Sequence, residues 1–228
     1  ILLKADKIIA PSRFLRDVFV KYGIPKEKIV CSDNGYNVGV FKGFKKKKSD
    51  KKDRIIFGYV GRITEYKGID VLIEAFNRID HSKAELRIYG SYNPKSSYIK
   101  ELKKKIKNPN IKLIGKFNDL KEPYSVIDVL IFPSIWYENC PLVLKEAMIT
   151  KTPVIASNIG AIPEFVKDGV NGLLFEAGNA NDLCSKIKKI LDNPDILEKF
   201  IKHMRSVRSI EKQAKELEKI YAEIIAGL

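Results

Sequence analysis

Residues 129–157 read VLIFPSIWYENCPLVLKEAMITKTPVIAS. VLIFPS (129–134) is a near-continuous apolar run closed by a proline, the pattern of a strand covered on both faces. Pro141 suits the first residue of a helix, and Asn139 or Cys140 can cap it. PVIAS (153–157) is a second strand-like run. Strand, helix, strand in this order is a βαβ unit, the building block of a parallel sheet.

The same alternation extends outward in both directions. Short β-branched runs stand at IIFGYV (55–60), ELRIYG (85–90), IKLIG (111–115) and GLLFE (172–176). Helical phrases with apolar positions three and four apart lie between them, as in GIDVLIEAFNRI (68–79) and SYIKELKKKI (97–106). The expected fold is therefore α/β: a doubly wound, Rossmann-like parallel sheet with helices following it. ANDLCSKIKKILDN (180–193) and PDILEKFIKHM (194–204) continue as helices, the second with Pro194 in its first turn and Asp192 or Asn193 as cap. A last helix, from about Ser209 to Ala226, carries an apolar stripe of Ile210, Ala214, Leu217, Ile220, Tyr221, Ile224 and Ile225.

Upstream, KIIAPS (7–12), FLRDVFVKYG (14–23) and KIVCSDNG (28–35) read as strand, helix and strand, with Asn34-Gly35 as a turn. KGFKKKKSDKKDR (42–54) has no apolar period and reads as an exposed basic linker. The expected organisation is four segments. Residues 1–41 are a remnant of a preceding domain, 42–54 the linker, 55–205 the Rossmann-like domain, and 206–228 a helix crossing back to that preceding domain. The chain begins at Ile1 inside an apolar phrase, so it is expected to be part of a longer polypeptide.

Composition narrows the class. Apolar residues make up 45% and charged residues 31% of the 228, ordinary for a chain that buries a core. No run of about 18 apolar residues encodes a membrane span. Cys31, Cys140 and Cys184 form no C-x-x-C pair, which favours a reducing cytosol and no structural metal. The net charge of +14 comes without a basic helix of interleaved aromatics, so no nucleic-acid partner is expected. Peripheral contact with the cytoplasmic face of a membrane is the second reading of the basic stretch.

In a doubly wound sheet the chemistry lies just beyond the carboxyl ends of the strands. After 55–60 come Gly61-Arg62 and then Lys67-Gly68 at the mouth of a helix, a pairing of cations and helix terminus that suits a diphosphate. Neither G-x-G-x-x-G nor a P-loop is present, which argues against a dinucleotide oxidoreductase or an NTPase. After 129–134 the free amides of Leu142 and Val143 make a second anion site. Glu138 precedes that helix and lies beside the phosphates. Glu146, eight residues on, is placed to grip vicinal hydroxyls such as those of a ribose.

The phrases GRITEYKG, PSIWYENCPLVLKEA, TPVIASNIGAIPE and VKDGVNGLLFEAGN together resemble glycosyltransferase family 4, retaining enzymes of the GT-B architecture. The resemblance runs from about Ile55 to the C-terminus, and the opening ADKIIAPSRFLRDVF also looks like the family. It implies that Arg62 and Lys67 hold the donor diphosphate, that Glu138 contacts the donor sugar, and that Glu146 binds the ribose. The loops at Gly90 and Lys116-Phe117 would flank the base. Two departures stand out. Glu138-Asn139-Cys140-Pro141 replaces the frequent E-G-F-G, so sugar preference does not transfer. Lys151-Thr152 occupies a position that is often glycine.

The implied function is transfer of a sugar from a UDP- or GDP-sugar to a saccharide or lipid-linked acceptor, without a cofactor or a metal; no Asp-x-Asp occurs. A sugar-nucleotide 2-epimerase and a non-catalytic sugar-nucleotide-binding module are the alternatives. His81, His203 and Cys140 are not expected in catalysis. Glu164 is either a helix-start charge or a neighbour of the site, and Trp136-Tyr137 either edge the sugar pocket or pack beneath the loop.

Overall fold

The computed structural model describes residues 4–47 and 54–227. All six strand runs from residue 55 onward form one parallel sheet: β3 (Ile55–Val60), β4 (Ala84–Tyr89), β5 (Ile111–Gly115), β6 (Val129–Phe132), β7 (Val154–Ser157) and β8 (Gly172–Phe175). Its order is β5-β4-β3-β6-β7-β8, so the chain builds outward on one side of β3, then returns to β3's other edge and builds the opposite way. The point of reversal, between β3 and β6, is where such a sheet opens a crevice at its carboxyl edge.

Alternation along each strand sorts the core into two layers. Phe57, Tyr59, Leu86, Ile88, Val129, Ile131 and Ile155 face α2 (Ile69–Phe76), α3 (Ser97–Lys105) and α7 (Ala180–Asp192). Val60, Tyr89, Leu130, Phe132, Val154 and Ala156 face α4 (Lys121–Val126), α5 (Leu142–Ile149) and α6 (Ile162–Phe165). With both faces covered, the strands can be apolar throughout. That is the reason VLIF and VIAS carry no polar alternation.

The first residues make a small parallel βαβ unit: β1 (Ile8–Ala10), α1 (Arg13–Lys21) and β2 (Ile29–Cys31), around Ile8, Ala10, Ile24 and Ile29. One expectation about this region changes. Asn34-Gly35 is no turn. The segment runs extended, and Tyr36 bridges to Ser209 beside α9 (Ile210–Ala226). A side chain on residue 35 would collide with Ile210 there, so glycine serves backbone contact rather than reversal.

Tyr36 and Phe41, assigned by sequence to the 1–41 segment, pack in the second core layer with Tyr124 and Phe132. Residues 1–3 of that segment lie outside the described residues. Within the 42–54 stretch, residues 42–47 lie along the sheet domain. Lys47 N donates to Ser125 O at 2.8 Å and the Lys46 ammonium to Ile127 O. Residues 48–53 of the expected linker lie outside the described residues.

One helix start also shifts. α8 (Ile196–Lys202) begins after Asp195 with no side-chain cap, so neither Asp192 nor Asn193 caps it. In α9 only Ile220 of the apolar stripe is buried, while Ile210, Tyr221 and Ile225 are exposed.

Candidate functional site

The loops after β3 and β6 meet at the switch point. Gly68 has a φ of 66°, and a Cβ there would lie 2.0 Å from Pro133 O. No L-residue with a side chain fits that approach, and it is the approach that brings Lys67 onto the β6 loop. Lys67 Nζ meets Glu138 Oε1 at 2.5 Å, and Ser134 Oγ donates to the same oxygen at 2.9 Å. Both ionic side chains are mostly covered, at 21% and 14% exposure. Glu138 Oε2 has no protein donor among the described residues.

The backbone of Glu138 is held as firmly as its carboxylate. Ala161 N donates to Glu138 O at 2.8 Å. Gly160, at φ 59°, sits where a Cβ would be 2.8 Å from both Glu138 N and Glu138 O. The β7–α6 loop is thus pressed against Glu138 itself.

Arg62 projects from the other side of the same loop, exposed, into a cavity of about 540 Å³ shared with Thr64, Ser91, Tyr92 and Tyr98. No carboxylate pairs with it among the described residues. The two cations expected to act together therefore differ: Lys67 is compensated by Glu138, and Arg62 is not. Gly61 and Gly90 bring the β3, β4 and β5 ends together, with Gly61 N donating to Tyr89 O at 3.1 Å and Gly90 N to Gly115 O at 2.8 Å. Lys116 is exposed beyond β5, and Phe117 lies edge-on to Tyr89.

α5 begins one residue later than the sequence suggests. Pro141 is its N-cap position, Leu142 its first residue, and neither Asn139 nor Cys140 caps it. The Cys140 thiol instead donates to Asp33 Oδ1 at 3.3 Å, and burial pushes its pKa up, which disfavours a nucleophilic thiolate. The first amides of α5 accordingly have no side-chain acceptor among the described residues.

Glu146 is buried at 7% exposure. Tyr124 Oη donates to its Oε2 at 2.7 Å and Tyr36 Oη to its Oε1 at 3.0 Å. Burial raises its pKa, and the two phenol hydrogen bonds oppose that shift. Next to it Lys145, almost fully buried, reaches Asp33 Oδ1 at 2.7 Å and the Asn34 carbonyl. Tyr36, Tyr124 and Asp33 were missed by sequence reasoning. Tyr36 and Asp33 lie more than 100 residues from their α5 partners, and no spacing rule links them.

Trp136 and Tyr137 are both 61% exposed. Trp136 leans on Tyr66 with centroids 6.1 Å apart, and Tyr137 stacks on Phe14 of α1. Glu164 turns away from its own helix to the start of α1.

Residues 41–207 match the family model described as Glycosyl transferases group 1. The uncharacterized glycosyltransferase MJ1178 of Methanocaldococcus jannaschii is 29% identical over 242 aligned positions, covering 96% of this chain and 60% of its own length. A glycosyltransferase structure from Rickettsia africae superposes with a TM-score of 0.85 at 24% identity, over 98% of this chain and 64% of that one. Anabaena Alr3699/HepE, solved with UDP and glucose, superposes at 0.83 and 21% identity, over 96% and 64%. The chain spans less than two thirds of the length of these relatives.

Proposed function

The chain belongs to the glycosyl transferases group 1 family, and from that premise we propose that the crevice between β3 and β6 binds a nucleoside diphosphate sugar and assists departure of the diphosphate. The observation that carries this is the Lys67–Glu138 ion pair at the sheet's point of reversal, on the loop that leads into the uncapped start of α5.

When the bond from the anomeric carbon to the diphosphate breaks, negative charge grows on the leaving oxygens. Arg62, Lys67 and the amides of Leu142 and Val143 offset that charge without a metal ion. Glu138 keeps Oε2 for a hydroxyl of the donor sugar while Lys67 and Ser134 hold Oε1. Glu146 takes the ribose. Its phenol partners use two of about four acceptor positions on an ionised carboxylate, and the others accept vicinal hydroxyls. The loops at Gly90 and Lys116-Phe117 flank the base. Alr3699/HepE, crystallised with UDP and glucose, favours a UDP-sugar donor.

The proposal extends to retention at the anomeric carbon and to membership of glycosyltransferase family 4. The acceptor, a saccharide or a lipid-linked sugar, is held by a region outside this chain, in keeping with the greater length of the relatives. The setting is cytoplasmic, with the basic 42–54 stretch making peripheral contact with a membrane.

A thermal-shift screen against UDP-, GDP-, ADP- and dTDP-sugars tests the donor site. A ligand at ten times its Kd should stabilise the fold by about 1.4 kcal/mol. No shift with any nucleotide sugar or free nucleotide at millimolar concentration would remove the donor site.

A further inference from the structure

Glu164 makes contacts that the chemistry above does not use. Its Oε1 accepts from Phe14 N at 2.7 Å, and its Oε2 accepts from Arg13 N at 3.1 Å and Arg13 Nε at 3.3 Å. Arg13 and Phe14 open α1, where backbone N–H groups have no partner within the helix. Ser12 Oγ takes the next amide, Leu15 N, at 3.2 Å. A carboxylate from 150 residues away thus completes the cap, with the helix dipole favouring its charge.

The cap is tied to the donor crevice by two routes. Phe14 stacks on Tyr137, centroids 5.8 Å apart and planes 5° from parallel, and Tyr137 immediately precedes Glu138. Glu164 also sits in the first turn of α6, directly after the loop whose Ala161 N holds Glu138 O and whose Gly160 touches the Glu138 backbone. Two successive residues of α1 therefore hold the loop that carries Glu138 and the helix that follows the loop packed against it.

We propose that Glu164 is a positioning residue of the donor crevice. By fixing the start of α1, it keeps Phe14 against Tyr137 and sets Glu138 where its carboxylate meets Lys67. The proposal rests on the donor-site reading only for what the crevice binds; the mechanical coupling stands apart from it.

The single tryptophan, Trp136, lies in the same loop and reports on it without ligand. The test compares Trp136 emission and UDP affinity in the wild type, Glu164→Ala, Glu164→Gln, Phe14→Leu and the Glu164→Ala/Phe14→Leu double variant. Expected are a changed emission in Glu164→Ala and in Phe14→Leu, and no further change in the double variant. Glu164→Gln, which keeps one acceptor oxygen for an α1 amide, should recover most of the wild-type signal. UDP affinity should fall about tenfold in Glu164→Ala, the scale of one lost charge-assisted hydrogen bond, and less in Glu164→Gln.

Wild-type emission from folded Glu164→Ala would overturn the coupling. Should Glu164→Ala fail to fold, unchanged emission and UDP affinity in Phe14→Leu would overturn it equally. Failure of the wild type to bind any nucleotide would refute the donor site and leave the emission comparison to decide the coupling.

Discussion

Glu138 and Glu146 are the same side chain eight residues apart, and the protein treats them in opposite ways. Glu138 meets an ammonium group at 2.5 Å and keeps one oxygen without a protein donor among the described residues. Glu146 meets no cation among the described residues; two phenols hold it, and burial raises its pKa. Tyr36 and Tyr124, in turn, have their own pKa values raised, first by burial and then by the Glu146 charge. One carboxylate belongs to a polar crossing of loops, where charge is answered by charge. The other is anchored in the second core layer, where only neutral dipoles answer it. Identical residues on one helix-and-loop element are thus separated in chemistry by what the rest of the chain lays over them.

The comparison breaks most visibly at Lys67. In the intact enzyme Lys67→Ala should lower turnover by about 10²-fold or more, read from steady-state rates with saturating donor. Arg62→Ala should fall in the same range, and an unchanged rate in either variant would exclude that cation from leaving-group stabilisation. In this chain, Lys67→Met should also cost about 1–3 kcal/mol of stability, because it leaves Glu138 largely covered without its cation. Adding Glu138→Gln should return part of that loss in denaturant titrations. A double variant no more stable than Lys67→Met would mean that the pair is not coupled.

Glu146→Ala removes the carboxylate partner of two hydroxyls, leaving that of the fully buried Tyr124 only a long contact to Val143 O at 3.4 Å. A loss of about 1–3 kcal/mol is expected, with weaker nucleotide binding beside it. Unchanged affinity in calorimetry would remove Glu146 from the site. Glu146→Gln sharpens the contrast through pH. A folded pKa above the unfolded one gives a contribution fully present below the unfolded value and lost as pH rises through the folded value. The glutamine variant carries no such loss. Its melting temperature relative to wild type should therefore climb as pH rises from the ordinary glutamate range through the raised folded pKa, and a flat or falling difference would contradict the buried-carboxylate account. The smallest effect is expected from a chelator, which should leave transfer by the intact enzyme unchanged; strict Mg²⁺ or Mn²⁺ dependence would exclude the metal-free mechanism.

The sheet was legible because its central strands are covered on both faces, which leaves near-continuous apolar runs such as VLIF and VIAS. The carboxylate spacing and the Arg62–Lys67 loop were legible for a related reason: they are local features at strand ends. Contacts made across the chain were not. Nothing near Tyr36 announces Glu146, nothing near Glu164 announces α1, and Asp33 finds Lys145 only once residues 32–37 have been laid against α5. Gly35 illustrates the limit well. Asn-Gly reads as a turn from its own chemistry, but here the glycine serves close passage beside Ile210, a partner 175 positions away. The start of α5 shifted by one residue: Pro141, with an extended ψ of 112°, takes the cap position itself, and the Cys140 thiol bonds to Asp33.

Calorimetric titration of UDP and GDP into this chain, with Arg62→Ala and Lys67→Ala alongside, tests the donor crevice most directly. The account predicts a Kd of about 0.1–1 mM for the preferred nucleotide in the wild type and a marked loss of heat in both variants. Equal binding by all three proteins would place the nucleotide elsewhere and contradict the claim.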